Sequence, residues 1–190
     1  MAKKESNFLN MVFTLFIVTA LAATALGFVY EFTKEPIAAA KLKAKLEAVS
    51  VVVPEFDNNP SEEMYTIPSD LGDLECYPAK MGDELVGTAI STITKMGFSG
   101  IIVVMVGLRS DGTIIKSAVL DHLETPGLGT KMTQPKFKDQ YIDKDPGKDN
   151  IKVTKDGGMI DAITASTITS RAYSDAIQRA FDAYMKGGQK

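Results

Sequence analysis

Hydroxyl side chains are concentrated between Asp161 and Ser170, directly before a segment with helical periodicity. A serine or threonine at a helix N-terminus accepts a hydrogen bond from a backbone N–H group that has no partner within the helix, and one such cap is enough. The same helix end also favours a phosphate, because its free N–H groups and the positive end of its dipole attract anions. The pattern therefore fits both a cap and a site for a phosphorylated ligand. The hydroxyl residues are Thr164, Ser166, Thr167, Thr169 and Ser170.

A second stretch, from His122 to Thr130, combines a turn with polar residues. Its Pro-Gly pair and its later glycine are typical of a turn, since proline fixes φ and glycine adopts positive φ. A turn does not account for Glu124 and Thr125, which come directly before the proline. A glycine-rich loop also lets backbone N–H groups approach a planar ligand or a phosphate closely.

Together the two stretches resemble the FMN-binding domain shared by the G subunit of the Rnf electron-transport complex and the C subunit of the sodium-translocating NADH:quinone reductase. The attachment motif of this family reads approximately Asp-x-x-Ser-Gly-Ala-Thr and is usually followed by x-Thr-Ser. In the family, the final threonine of the motif is esterified to the FMN phosphate, which implies a covalent FMN on Thr167. The motif aligns with Asp161, Thr164, Ala165, Ser166, Thr167, Thr169 and Ser170.

The sequence departs from this attachment motif at three neighbouring positions. Thr164 replaces serine, Ala165 replaces glycine and Ser166 replaces alanine. If the glycine position requires a positive φ, Ala165 adopts it at a cost of roughly 1 kcal/mol or more. Ser166 also provides a hydroxyl directly before Thr167, so attachment one residue earlier is an alternative to the predicted attachment at Thr167.

The second stretch matches the family's Glu-Thr-Pro-Gly-Leu-Gly signature at all six positions. The resemblance implies that this loop lies against the flavin, with Glu124 and Thr125 bonded to the ring edge or the ribityl chain. The Gly-Phe-Ser-Gly turn at 97–100 also resembles the family. Outside the attachment motif, the implied cofactor-binding residues are His122, Glu124, Thr125, Pro126, Gly127, Leu128 and Gly129.

The N-terminal region contains an uncharged segment from Phe8 to Tyr30, long enough as a helix to cross a membrane. We interpret residues 8–30 as a transmembrane helix and residues 1–7 as a short cytoplasmic stub. A cleaved signal peptide is the alternative, although its apolar region is usually shorter. Lysines on both sides leave the orientation open. The family resemblance implies that residues 31–190 form one domain on the extracytoplasmic side of the cytoplasmic membrane.

The pattern after the membrane segment predicts an α+β fold, with an antiparallel sheet and flanking helices. A second helix is predicted to begin at Glu35–Pro36 and to end near Pro54, followed by a polar loop with one short strand. Residues 133–154 are charged and are predicted to form a solvated surface. The FMN-attachment region is predicted to span residues 84–185. Within it, the predicted strands are 84–95, 101–109 and 113–120, and the predicted final helix is 170–185.

Composition excludes several classes of site. One cysteine, Cys76, is too few for an iron–sulfur cluster, and one histidine makes a His/Cys metal site improbable. We predict no metal. The net charge of −3 and the scattered lysines argue against a nucleic-acid partner. Any redox role therefore requires an organic cofactor.

The resemblance implies an electron-transfer component of a membrane-bound, ion-translocating ferredoxin:NAD oxidoreductase (Rnf) complex, which relays electrons through FMN. The chain length favours this assignment over the C subunit of the quinone reductase. The implied partners are the other subunits of the complex, the lipid bilayer and a flavin transferase that forms the ester, because an unactivated threonine is a poor nucleophile. We predict no catalytic residue. The alternatives are a hydrolase triad of His122, Glu124 and Ser166, which lacks a nucleophile-elbow motif, and a membrane-anchored scaffold without flavin.

Overall fold

The computed structural model describes residues 7–187, so residues 1–6 of the predicted cytoplasmic stub and residues 188–190 of the predicted domain lie outside it. The chain divides into two compact units, the first ending at Lys43 and the second beginning at Ala44. The second unit contains the sheet and the candidate site. Its combination of one antiparallel sheet with helices confirms the predicted α+β class.

Helix α1 (Phe8–Val52) runs without interruption through Pro36. The prediction of a separate helix beginning at Glu35–Pro36 is therefore wrong, whereas the predicted end near Pro54 is confirmed. Proline removes its own N–H bond to the carbonyl four residues earlier and crowds that carbonyl, but the alanines and lysines that follow are good helix formers and the helix continues. By length and composition, α1 is able to cross a membrane, and none of its most apolar segment is buried.

The sheet contains five antiparallel strands in chain order, which confirms the predicted antiparallel sheet. Next to β1 (Tyr65–Ile67), strand β2 (Leu74–Met81) is wrongly predicted as loop because Pro78 and charged residues interrupt its pattern. Only Leu74–Cys76 of β2 pairs with β1, so Pro78 lies beyond that pairing and its missing N–H disrupts no ladder on that side. The remaining strands are β3 (Glu84–Thr94), β4 (Ile102–Leu108) and β5 (Ile114–His122).

Along each strand, side chains alternate between the two faces of the sheet. Both faces are covered by helices. Helix α3 (Thr167–Gly187) covers one face and buries Tyr173, Ile177 and Tyr184. The last turns of α1 cover the other face, where Val52 packs so closely on Gly107 that any larger residue there would collide with the helix backbone. This double coverage explains the continuously apolar β4.

The segment between β5 and α3 is only partly a solvated surface. It forms 3₁₀ turns at Gly129–Thr133, Asp139–Tyr141 and Thr154–Asp156, and a short helix, α2 (Pro135–Lys138). Phe137 and Tyr141 are buried, and their rings lie 5.4 Å from the ring of Tyr173. The prediction of a solvated segment fails here because single aromatic residues among lysines and aspartates show no periodicity.

Candidate functional site

The start of helix α3 is fixed by Ser170, which is fully buried. Its hydroxyl accepts the Ile163 N–H at 2.9 Å and donates to the Ser166 carbonyl at 3.0 Å. These two bonds close the segment before α3 into a tight turn. Ser170 therefore lies beneath the predicted site, and its hydroxyl is used by the protein backbone.

Ala165 lies within this turn with a φ of 62°. The left-handed region suits glycine, and a Cβ there approaches the following carbonyl oxygen too closely. The position occupied by glycine in the resembling motif thus does require a positive φ. The alanine in this chain is strained as a result.

The hydroxyls of Ser166 and Thr169 belong to a buried chain of hydrogen bonds that ends at Glu124. Thr169 Oγ1 donates to Glu124 Oε2 at 2.6 Å, and Ser166 Oγ lies 2.9 Å from Thr169 Oγ1. Because Thr169 gives its single proton to the carboxylate, Ser166 is the donor to Thr169. Both hydroxyls are therefore directed inward.

Glu124 is 5% exposed and accepts bonds from two different elements. Besides the Thr169 hydroxyl, it accepts the Ser99 N–H at 3.1 Å through Oε1. A Cβ on Gly129 would lie 2.5 Å from Glu124 Oε2 and 3.0 Å from Thr169 Oγ1, so only glycine fits there. Glu124 thus joins the 97–100 turn, the glycine-rich loop and the start of α3.

The glycine-rich loop is closed by its own bonds. The Leu128 N–H donates to the Thr125 carbonyl at 3.2 Å, and the Gly127 N–H donates to Thr130 Oγ1 at 3.0 Å. His122, at the end of β5, accepts the Glu124 N–H at its Nδ1. Since His122 bonds the loop backbone and Ser166 bonds Thr169, these two side chains are not arranged as the base and nucleophile of a hydrolase.

The two predicted stretches meet around a cavity of about 270 Å³. Its mouth carries large exposed apolar side chains, Phe98, Leu128 and Ile168, of which Phe98 is 68% exposed. A polar floor with an apolar rim suits a planar aromatic ligand that bears a polar tail. The lining residues are Phe98, Glu124, Thr125, Leu128, Gly129, Ala165, Ser166, Thr167, Ile168 and Thr169.

Five predicted site residues lie outside this lining. Thr164 lines a neighbouring cavity of about 570 Å³ with Asp161 and Gln140, whose side chain bonds both the Asp161 N–H and the Asp161 carbonyl. The remaining four are His122, Pro126, Gly127 and Ser170. The sequence indicates Phe98 only as part of a turn, and the structure adds it to the lining.

Thr167 differs from its neighbouring hydroxyls because it is half-buried and reaches the surface. Its Oγ1 accepts a 3.1 Å hydrogen bond from the Lys155 ammonium, which comes from the 3₁₀ turn at Thr154–Asp156. The same turn is tied to α3 by Arg171, which donates two 2.7 Å bonds to the Asp156 carboxylate. This pairing holds the pKa of Asp156 below its usual range. Sequence reasoning missed Lys155, because one lysine in a charged segment carries no signal.

Comparison with known proteins gives matches over most of the chain. Residues 97–182 match the family described as FMN-binding domain. The G subunit of the ion-translocating oxidoreductase complex of Cereibacter sphaeroides is 34% identical, covering 86% of this chain and 78% of the relative. The G subunit of the Na(+)-translocating ferredoxin:NAD(+) oxidoreductase complex of Acetobacterium woodii is 31% identical, covering 90% of this chain and 88% of the relative.

Among solved structures, Shewanella oneidensis NqrC has a similar fold. The TM-score is 0.50, with 24% identity over 67% of each chain. At that identity the likeness concerns the fold alone. It places the five-stranded sheet and its helices in a known architecture.

Proposed function

This chain belongs to the family of G subunits of ion-translocating oxidoreductase complexes, and from that premise we propose that it relays electrons through FMN bound as a phosphoester to Thr167. The proposed complex is a membrane-bound ferredoxin:NAD oxidoreductase, the activity in the name of the A. woodii relative. The bound FMN supplies the redox chemistry, and the protein supplies its position, hydrogen bonds and dielectric surroundings.

Attachment at Thr167 is supported by a difference in burial and hydrogen bonding between adjacent hydroxyl groups. All three residues line the cavity, but Ser166 and Thr169 are buried and their hydroxyls are bonded into the chain that ends at Glu124, whereas Thr167 is half-buried and its hydroxyl lies outside that chain. A hydroxyl must be accessible to become a phosphoester. This difference favours Thr167 over Ser166, the alternative that the sequence leaves open.

The residues around the cavity fit the phosphate at one end of the cofactor and the flavin ring at the other. Thr167 is the first residue of α3, where free N–H groups and the helix dipole favour the negatively charged phosphate. The apolar rim of Phe98, Leu128 and Ile168 would pack against the flavin ring, and Thr125 offers a hydroxyl to its polar edge. His122 and Glu124 hold the glycine-rich loop, with Pro126 and Gly127 in its turn, so they act by positioning.

Membrane association is supported by the apolar part of α1 together with the family. We propose that residues 8–30 span the bilayer, that the short N-terminal stub is cytoplasmic, and that residues 31–190 face the extracytoplasmic side. The other subunits of the complex are the proposed electron-transfer partners. The relatives from C. sphaeroides and A. woodii, which match 86% and 90% of the chain, are G subunits, which favours this assignment over the C subunit of the quinone reductase.

A flavin transferase is the proposed source of the ester, because an unactivated threonine hydroxyl is a poor nucleophile and the Lys155 ammonium beside Thr167 Oγ1 is a hydrogen-bond donor. The transfer forms a bond between Thr167 Oγ1 and the FMN phosphorus of FAD. It breaks the pyrophosphate bond, so AMP leaves and the hydroxyl proton is released. Asp161, whose backbone is held by both polar atoms of the Gln140 side chain, is a proposed recognition residue for that enzyme.

The test is in-gel flavin fluorescence after denaturation, on the full chain produced together with its flavin transferase. We expect a fluorescent band and a mass adduct of about 438 Da, the mass of FMN less one water. Thr167→Ala should abolish both, and the matched control Ser166→Ala should retain both. A band that persists in Thr167→Ala contradicts the attachment site. Absence of a band from every variant contradicts the flavin relay and favours the scaffold alternative.

A further inference from the structure

Lys155 lies beside Thr167, a placement that the proposed electron relay does not by itself explain. Its ammonium donates a 3.1 Å hydrogen bond to Thr167 Oγ1, the atom that would carry the phosphorus. The two residues come from different elements, a 3₁₀ turn and the first position of α3. An ammonium in this place is a positive charge next to the expected anion.

The turn that carries Lys155 is anchored from two directions. On one side, Asp156 accepts two 2.7 Å bonds from Arg171, which lies one helical turn after Thr167 on the same face of α3. Such a bidentate pair fixes direction as well as distance. On the other side, Asn150 Nδ2 donates to the Gly157 carbonyl at 3.1 Å. Lys155 is therefore held near Thr167 by its neighbours and not only by its own bond.

We propose that Lys155 pairs with the phosphate of the flavin attached to Thr167, and that Asp156 and Arg171 are positioning residues for it. This inference rests on the proposed function. The ester is a phosphodiester that keeps one negative charge on its two non-bridging oxygens. Those oxygens are bonded to the phosphorus on Thr167 Oγ1, so they come within reach of the Lys155 ammonium.

Arg171, the cation that anchors this turn, is already engaged. Two nitrogens of Arg171, Nε and Nη2, donate to Asp156, which leaves Lys155 as the flexible point charge for the phosphate. The dipole of α3 adds to the same attraction. Lys155 thus completes a phosphate site in which the helix start, the attachment hydroxyl and an anchored cation converge.

The experiment compares the full chain in detergent, produced with and without its flavin transferase, for the wild type, Lys155→Ala, Lys155→Arg and Lys152→Ala. Lys152 is the matched control, an exposed lysine in the same segment. The measured quantity is the difference in Tm between samples with and without attached flavin. Thermal unfolding is monitored by circular dichroism at low and at high salt. Intact mass gives the fraction of each sample that carries flavin.

We expect flavin attachment to raise Tm least in Lys155→Ala, by about 2 °C less than in the wild type. Lys155→Arg and Lys152→Ala should keep the full rise. High salt should reduce the rise in the wild type more than in Lys155→Ala, because salt screens an exposed pair. Asp156→Asn, which loosens the turn, should give an intermediate rise.

An equal rise and equal salt dependence in Lys155→Ala and the wild type overturns the role of Lys155 while the proposed function stands. Flavin on Thr167→Ala, or no flavin on the wild type, overturns the proposed attachment and this inference with it. The variants without flavin provide the folding control, since removal of an exposed lysine should leave their Tm within about 1 °C of the wild type.

Discussion

Thr169 Oγ1 donates a 2.6 Å hydrogen bond to Glu124 Oε2 and so joins the first turn of α3 to the glycine-rich loop. The other carboxylate oxygen of Glu124 accepts the Ser99 N–H. One carboxylate oxygen therefore binds the first turn of α3, and the other binds the 97–100 turn. The geometry of the cavity depends on a side chain with two acceptors at this position.

Glu124→Gln is expected to lower the free energy of unfolding by about 1–3 kcal/mol, although the two side chains have the same shape. Glutamine has one acceptor oxygen. Either its NH₂ group faces the Ser99 N–H, which loses its acceptor, or it faces Thr169, and the hydrogen bond between Thr169 and Ser166 must reverse and leave the Ser166 proton without its acceptor. Urea titration followed by circular dichroism measures the change. Glu84→Gln, at an exposed position at the start of β3, is the control and should have little effect. Equal stability of the wild type and Glu124→Gln would show that the carboxylate does not hold the loops.

Ala165→Gly is expected to raise the free energy of unfolding by about 0.5–1 kcal/mol. Glycine adopts the observed φ of 62° without strain, and this gain exceeds the entropy that glycine adds to the unfolded chain. Thermal unfolding of the two proteins measures the difference. Ala162→Gly, three residues earlier and outside the left-handed region, should instead lower stability by a similar amount. A loss of stability in both variants would contradict the strain at Ala165.

The helices and strands whose apolar residues recur at regular spacing could be predicted from the sequence. Strands β3 to β5 and helix α3 have apolar residues at regular spacing, and each is found within a few residues of its predicted bounds. Strand β2 and the burial of Phe137 and Tyr141 were not predicted, because Pro78 and the surrounding lysines interrupt the regular spacing of apolar residues. Helix α1 passes through Pro36 because the loss of one hydrogen bond does not end a long helix.

The candidate site could be predicted only as a set of residues. Local motifs indicate which side chains are polar, but they do not indicate which way each one points. Burial and bonding distinguish Ser166, whose hydroxyl is directed inward, from the half-buried Thr167, whose hydroxyl bonds the exposed Lys155. Lys155 comes to Thr167 from 12 residues away through a turn that the sequence does not reveal.

Cys76 is expected to resist alkylation in the folded protein. Its side chain is fully buried in the core, and burial raises the pKa of its thiol to about 12, so the reactive thiolate is scarce at pH 8. The rate of labelling by iodoacetamide should rise by about 10²-fold or more in denaturant. The chain has one cysteine, so all labelling reports this site. Rapid labelling of the native protein would contradict the burial of Cys76.

The raised pKa of Cys76 also predicts a loss of stability in alkali. The folded state favours the neutral thiol, so its contribution is complete below the unfolded pKa of about 8.5. As the pH rises from there towards the folded pKa of about 12, the unfolded thiol ionises first and the contribution is lost. Denaturant midpoints between pH 7 and 10 measure this fall. Cys76→Ser, whose hydroxyl does not ionise in this range, should show a smaller fall, and an equal fall would assign the alkaline loss to other groups.

Phe98→Ala is expected to leave the flavin-free chain almost unchanged and to reduce the stabilisation that flavin attachment brings. The ring is 68% exposed at the cavity mouth, so its removal costs little packing in the free protein. Stacking between aromatic rings contributes about 0.5–1.5 kcal/mol, which corresponds to a rise in Tm on attachment smaller by about 2–4 °C. Leu123→Ala is the matched control, because Leu123 is 76% exposed and lies outside the cavity lining. If flavin attachment raises Tm as much in both variants as in the wild type, the flavin ring does not stack on Phe98.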